Sequence, residues 1–314
     1  MSASPGATRD IAAFVAYACT LTPDPAQATA KAVFLVAPEA FQLAEQSASD
    51  NRYMDLGVRV DPVRALEQHR GLRDALAAAL PTLCFPGDPR TPDAIFPNNV
   101  FATVAARDGE PAVLVLGHMR HPVRQAERER PDIRAALAAR FGYIERDLGA
   151  QPGVCELTGS LVIDHARRIG FCGLGERCDE SGARAMHAAF GLRATLLFDL
   201  AAGEYHTNVV LAVLAGRACV VAPDGFADPA VPRAIAELYA PHAVELTSPQ
   251  KQAFAGNCIA LTGDTVWMSS AAAAALTDHQ RAVLAGAGFG IRAVPLDELE
   301  KAGGSLRCCV AELY

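Results

Sequence analysis

The stretch 161–199 reads Leu-Val-Ile-Asp-His-Ala-Arg-Arg-Ile-Gly-Phe-Cys-Gly-Leu-Gly-Glu-Arg-Cys-Asp-Glu-Ser-Gly-Ala-Arg-Ala-Met-His-Ala-Ala-Phe-Gly-Leu-Arg-Ala-Thr-Leu-Leu-Phe-Asp. Two short apolar runs, 161–164 and 169–172, flank the polar turn 165–168, which predicts a hairpin. A helical pattern follows over 180–190. A third apolar run, 195–199, completes the unit. The order hairpin, helix, strand then recurs along the chain. Runs 209–214 and 218–221 around Ala215-Gly216-Arg217 precede a helix at 232–239 and a strand at 243–246. Runs 258–262 and 265–269 around Gly263-Asp264 precede a helix at 278–286 and a strand at 290–295. Upstream, runs 100–105 and 112–116 flank Arg107-Asp-Gly-Glu110, with a helix at 131–141. A partial unit lies at the ends: strand 31–38, helix 62–80, strand 82–85, and a final strand around Cys308. The recurrence has a period of about 55–65 residues and is one of structure, not of sequence. It predicts one closed α/β ring over 31–314, with the ring's centre as the natural site. Residues 1–30 read as a partly ordered N-terminal arm, because they lack the leucine density and basic start of a secretory signal.

The 314 residues carry 28 basic and 35 acidic side chains, a net charge of −7. With 51% hydrophobic residues the chain buries a full core. The acidic balance argues against nucleic acid or an anionic membrane surface as partner. No apolar stretch reaches the roughly 20 residues a membrane helix needs. Nine cysteines, an odd number mostly inside apolar runs, read as reduced thiols in a cytoplasmic chain. No C-x-x-C pair occurs, so no common zinc site is expected. The sequence leaves the oligomeric state open, a homo-oligomer included.

Chemistry concentrates in four places. Gly303-Gly304-Ser305-Leu306-Arg307-Cys308 combines a glycine turn, a positive charge and a thiol, a setting that lowers a thiol pKa. Cys308 is therefore the expected nucleophile. Its neighbour Cys309 would face the other way on a strand. Phe96-Pro97-Asn98-Asn99 puts amides at a strand mouth. Glu156 precedes the apolar run 157–162. His206 opens the run 209–214, with Asn208 two residues on. Thiol, imidazole and carboxylate together form a nucleophile, base and orienter set. Residues 127–130 read as a solvated charge cluster, and Trp267 as core.

Six segments occur in the order found in one superfamily: Phe-Pro-Asn-Asn-Val-Phe (96–101), Glu-Leu-Thr-Gly-Ser-Leu-Val (156–162), Gly-Leu-Gly-Glu-Arg (173–177), Tyr-His-Thr-Asn-Val (205–209), Phe-Ala-Gly-Asn (254–257) and Gly-Gly-Ser-Leu-Arg-Cys (303–308). The chain resembles the guanidino-group-modifying superfamily, which includes arginine deiminase and dimethylarginine dimethylaminohydrolase. Within it the chain looks most like the citrulline-utilisation hydrolases, often labelled amidinotransferase-like. The resemblance implies the pentein fold, an α/β propeller of about five ββαβ-like units around a pseudo-five-fold axis. It implies a thiolate at Cys308, a general acid/base at His206 and a substrate-contacting carboxylate at Glu156. It also implies that Arg177 binds the substrate α-carboxylate, that Phe96 lines the channel and that Arg124 is a second anion-binding arginine. Where arginine deiminases carry aspartates, this chain has Asn99 and Asn208. Two neutral amides suit a ureido group better than a guanidinium. The expected reaction is hydrolysis of citrulline to ornithine, ammonia and carbon dioxide, with no metal or organic cofactor. A deiminase, dihydrolase, dimethylarginine hydrolase or amidinotransferase acting on a guanidinium is the alternative, and a non-catalytic binding protein of this fold is a further one.

Overall fold

The computed structural model describes residues 3–39, 41–107 and 109–314; Asp108 of the expected 107–110 turn lies outside them. The sixteen strands are β1 (Gly6–Thr8), β2 (Ala32–Val36), β3 (Thr82–Phe85), β4 (Phe101–Val104), β5 (Val113–Leu116), β6 (Ile144–Asp147), β7 (Leu161–Asp164) and β8 (Ile169–Leu174), followed by β9 (Ala194–Asp199), β10 (Leu211–Leu214), β11 (Ala218–Val221), β12 (Ala243–Glu245), β13 (Ile259–Ala260), β14 (Thr265–Ser269), β15 (Gly290–Val294) and β16 (Ala311–Leu313). They form five small sheets with one plan. In each, two antiparallel strands are followed by a third that runs parallel to the second. The fifth sheet is assembled from distant parts of the chain: β16 pairs antiparallel with β2, and β2 parallel with β3.

Each parallel step needs a crossover, and helices supply it. The helix Pro62–Ala77 starts where the Asp61 carboxylate accepts from the Val63 and Arg64 amides, with Pro62 in the first turn. Asp179 caps Glu180–Ala189 in the same way. Thr277 and Gln280 form a capping box for Asp278–Gly286. Pro131–Phe141 ends at Gly142, whose φ of 69° is the left-handed stop that glycine accepts freely. These boundaries are local chemistry, which is why the sequence shows them.

Three features depart from expectation. The arm 1–30 is integrated where it is described: β1 adds to the edge of β9, and the helix Ile11–Ala18 buries Phe14 edge-to-face on Phe171 at 5.4 Å. β6 was not expected, because Ile-Glu-Arg-Asp is exposed along its length and carries no alternation. The third concerns the entry to each unit. The run 209–214 is not all strand: Thr207–Val210 is one helical turn and the strand begins at Leu211. Leu157–Ser160 forms the same turn before β7, and Pro97–Asn99 a tighter one before β4. Cys308 likewise sits in a turn before β16, not in a strand. Residues in these turns are buried all round, so apolar periodicity cannot separate turn from strand.

Candidate active site

The turns lie against one another. Leu157–Ser160 touches both Pro97–Asn99 and Thr207–Val210. A series of hydrogen bonds joins each turn to the one before it. Thr158 Oγ1 donates to Asn98 O (3.0 Å), Asn208 Nδ2 to Thr158 O (3.1 Å), Asn257 Nδ2 to Asn208 O (2.9 Å), and the Arg307 amide to Asn257 O (3.3 Å). Five units thus present five turns to one place. Phe96 and Asn99, Glu156, His206 and Asn208, and Cys308 occupy four of them.

Glycines permit the approach. A Cβ on Gly159 would lie 2.5 Å from Asn99 Oδ1 and 2.9 Å from His206 Nδ1. A Cβ on Gly304 would lie 2.9 Å from the Phe96 ring and 3.2 Å from Cys308 Cβ. The sequence therefore brings Asn99 to His206 and Phe96 to Cys308 by leaving side chains out between them.

Glu156 and His206 are fully buried, and Cys308 is 1% exposed. His206 Nε2 lies 2.8 Å from Glu156 Oε2. Arg177 Nη1 approaches the same oxygen at 3.4 Å and Arg124 Nη1 at 3.8 Å, while Oε1 accepts from the Arg120 amide at 3.2 Å. Burial alone would raise the Glu156 pKa. The Arg177 charge, the His206 bond and Arg124 outweigh it and hold the carboxyl well below the usual carboxylate range. For His206 burial wins over the Glu156 bond, so its pKa is lowered and the ring is neutral near pH 7. A neutral ring bonded to an ionised carboxylate carries its proton on Nε2. Nδ1 is then a bare acceptor, and among the described residues it has no hydrogen-bond partner. Asn99 Oδ1 is a second buried acceptor without one.

The Cys308 thiol departs from the sequence reading. Burial pushes its pKa up, against bonds from Asn257 and Asn208. The charge of the adjacent Arg307 also lowers it, behind the Asn257 bond, but the guanidinium donates to Val310 O at 3.0 Å and Glu312 Oε2 at 2.8 Å and makes no bond to the sulfur. The sulfur accepts from Asn257 Nδ2 at 3.2 Å and donates to Asn208 Oδ1 at 3.7 Å. Cys309 is buried in an apolar cluster, and burial raises its pKa strongly.

The two arginines have carboxylate partners within the protein. Arg177 Nε bonds Asp50 Oδ1 at 3.0 Å, and Nη2 donates to Ser47 O at 2.9 Å. Arg124 forks onto Glu127 with two bonds of 3.0 Å and donates to Phe96 O at 3.1 Å. Both guanidiniums are buried and bonded within the protein, where they hold Glu156 ionised. Glu127, read as part of a solvated cluster, is buried as Arg124's partner.

Residues 41–58, about which the sequence reading was silent, cover the site. Asp50 meets Arg177, and also Arg120 at 3.3 Å and His121 at 3.0 Å. Asn51 Nδ2 donates to Gly303 O at 3.4 Å, and Tyr53 Oη to Glu204 Oε2 at 2.7 Å. The signal was present in the sequence: a long connection without periodicity inside a compact chain is commonly functional. Among the described residues, no group of three His, Cys, Asp or Glu side chains is placed to hold a metal ion. Among the described residues no helix is long and apolar enough to cross a membrane.

A mixed α/β chain of five like sheets, with cysteine, histidine, glutamate and asparagines on converging turns, has the fold of the pentein enzymes that modify arginine-like groups. Residues 37–314 match the family model described as N,N dimethylarginine dimethylhydrolase, eukaryotic, and the chain belongs to that family of hydrolases acting on carbon–nitrogen bonds. Among solved structures it is similar to the N-terminal domain of ArgZ, an arginine dihydrolase from the ornithine–ammonia cycle in cyanobacteria, in a cysteine-to-serine variant bound to substrate. That likeness has a TM-score of 0.75 and 21% identity, over 90% of this chain and 97% of the other. A variant of AgrE with L-arginine gives a TM-score of 0.75 and 21% identity, over 90% of this chain and 40% of AgrE. A dimethylarginine dimethylaminohydrolase variant, as its adduct with S-methyl-L-thiocitrulline, gives a TM-score of 0.68 and 19% identity, over 90% and 99%. No curated protein matches the chain.

Proposed function

We propose that the chain is a cysteine-dependent hydrolase whose substrate is citrulline, converted to ornithine, ammonia and carbon dioxide. The five like sheets support a propeller around a pseudo-five-fold axis, with Cys308, His206 and Glu156 as its catalytic residues. Cys308 sulfur attacks the ureido carbon, and one carbon–nitrogen bond breaks as the carbon–sulfur bond forms. The thiol proton reaches the departing nitrogen through His206. Water, deprotonated by His206, then cleaves the carbon–sulfur bond and restores the thiol. The carbamate left after both steps loses carbon dioxide. Asn99 and Asn208 hold the substrate's polar atoms, and Phe96 lines the approach. Arg177 and Arg124 serve by keeping Glu156 charged, so that the neutral His206 stays oriented.

The observation that carries the choice of substrate is that amides, Asn99 and Asn208, stand beside His206 and Cys308, while three nearby carboxylates are already paired with cations. Glu156 is held by Arg177, Arg124 and His206, Glu127 by Arg124, and Asp50 by Arg177, Arg120 and His121. An incoming guanidinium would meet amides beside the sulfur and three carboxylates already held by cations, with the buried Asp93, whose Oδ1 has no hydrogen-bond partner among the described residues, as a carboxylate of this region outside those ion pairs, whereas a neutral urea needs no counter-charge. A guanidinium is nevertheless the second reading. The bare acceptors His206 Nδ1 and Asn99 Oδ1 call for N–H donors, which it supplies in excess, and AgrE has been solved with L-arginine. Incubation with citrulline, arginine, agmatine and dimethylarginine, with assays for ammonia, citrulline and ornithine, separates the readings. Citrulline is expected to give ornithine and ammonia, and Cys308→Ser to give neither. Ammonia from arginine with none from citrulline overturns the first reading in favour of the second.

A further inference from the structure

Four of the five converging turns contribute the side chains discussed so far. The turn before β13 contributes Asn257, whose surroundings are built with equal care. Phe254 takes a left-handed backbone, φ 58°, which a phenylalanine adopts only under constraint. A Cβ on Gly256 would lie 2.3 Å from Val209 O, so only glycine lets this turn press against the one carrying His206 and Asn208. The Asn257 amide donates to Phe254 O at 2.9 Å. Its side chain is fully buried.

Four contacts fix the carboxamide, one of them from Nδ2 to Asn208 Oδ1 at 3.4 Å. Nδ2 donates to Asn208 O at 2.9 Å, Oδ1 accepts from the Cys308 amide at 3.3 Å, and Nδ2 also reaches Cys308 Sγ at 3.2 Å. The flanking backbone groups, a carbonyl on one side and an N–H on the other, allow only this orientation of the amide. A donor is thus locked onto the sulfur. No arginine, lysine or histidine among the described residues is hydrogen-bonded to that sulfur, and Arg307 is committed to Glu312.

We propose that Asn257 is a catalytic residue: its Nδ2–H holds the Cys308 sulfur as a thiolate, and its Oδ1 fixes the turn that aims that sulfur at the substrate carbon. No charge is needed nearby, because a fixed neutral donor in a dry site stabilises a developing anion without reorganising. Deprotonation turns the contact into a charge-assisted bond while the Cys308 S–H···Asn208 bond is given up. The inference rests on Cys308 as the nucleophile, and the experiment keeps the two apart.

The rate of Cys308 alkylation by iodoacetamide is measured against pH in the parent protein, Asn257→Asp and Asn257→Ala, with labelling located by mass spectrometry. Asn257→Asp keeps the acceptor for the Cys308 amide but replaces the donor with a negatively charged oxygen and gives up the bond to Asn208 O, whereas Asn257→Ala removes donor and acceptor without adding charge. Far-ultraviolet circular dichroism and a denaturant titration report folding. Alkylation near neutral pH is expected to slow by roughly 10- to 100-fold in both variants, with the pH midpoint moved upward and more so in Asp. If Cys308 is not the preferentially labelled thiol in the parent, the nucleophile assignment fails. If it is, and folded Asn257→Asp shows the parental midpoint, the role of Asn257 is overturned. A folded Asn257→Ala with a normal midpoint overturns it equally, so an unfolded Asp variant alone does not decide the matter.

Discussion

Gly159→Ala probes the site without touching any group that does chemistry. The added methyl would sit 2.5 Å from Asn99 Oδ1, 2.7 Å from His206 Cε1 and 2.9 Å from His206 Nδ1. Carbon contacts relax at about 3.5 Å or more, so the neighbours must retreat by about 1 Å in total. Asn99 Oδ1 has no partner to lose. His206 does, because its Nε2 is pinned to Glu156 at 2.8 Å inside a site with no exposure. Turning the ring therefore strains the bond that fixes its tautomer. Overpacking of this kind costs about 1–3 kcal/mol of stability. A misplacement of about 1 Å in a catalytic group costs on the order of 100-fold in rate. The assay is kcat on the hydrolysed member of the four-compound panel, beside a denaturant titration and the rate of Cys308 alkylation. The expected result is a folded protein, roughly 100-fold slower, with alkylation within about twofold of the parent, because the three atoms nearest the added methyl belong to Asn99 and His206 and not to Cys308. A folded variant with kcat within about threefold of the parent refutes the claim that Asn99 and His206 act as a fixed pair.

Other outcomes follow from the same geometry. Glu156→Gln leaves Arg177 and Arg124 without their shared carboxylate, and is expected to cost about 3–5 kcal/mol in a denaturant titration and at least about 100-fold in kcat. His69 is buried with its pKa lowered from 6.5 to about 4, chiefly by burial. It is neutral in the fold, while the unfolded chain takes up a proton near 6.5. Its contribution to stability is therefore complete above that pH and is lost as pH falls from 6.5 toward 4, to about 3 kcal/mol; titrations at both ends should show this slope, and His69→Leu should flatten it. Asp50→Asn removes the charge that ties the cover to Arg177, Arg120 and His121. Alkylation of Cys308 should then quicken by roughly 10-fold as the cover opens more often, and an unchanged rate would show that residues 41–58 do not gate the thiol.

What the sequence revealed was what local chemistry determines. Helix starts at Asp61, Asp179 and Thr277 and the turn at Ala215-Gly216 are written in a few adjacent residues, and they mark out the units. The turns that carry the site were hidden, because Leu157–Ser160 and Thr207–Val210 are buried on every side and their shape is set by bonds such as Thr207 Oγ1 to Ser160 O. That Cys308 sits on a glycine turn was legible in the sequence. The direction of its pKa was not, since that is set chiefly by depth of burial, which outweighs the Asn257 bond and the Arg307 charge. Arg124 and Arg177 showed that a residue can be found at its expected place and still be bonded to unexpected partners. The long aperiodic connection 41–58 signals a functional loop, but nothing in it singles out Asp50 and Asn51.

The split fifth sheet has a consequence for the order of events during synthesis. Ala311 lies opposite Phe34, so the strand that follows Cys308 finds its partner near the other end of the chain. While a nascent chain is still emerging, His206 and Glu156 are already out, but the thiol is an ordinary flexible one. It gains its aim only when β16 docks on β2, a contact of very high sequence separation and hence a late one. Hydrolytic competence and completion of the fold then arrive together, and a chain stalled short of that seam is inert. In the finished protein the same seam is where activity should vanish first on partial unfolding, ahead of the melting of the caps and helices elsewhere.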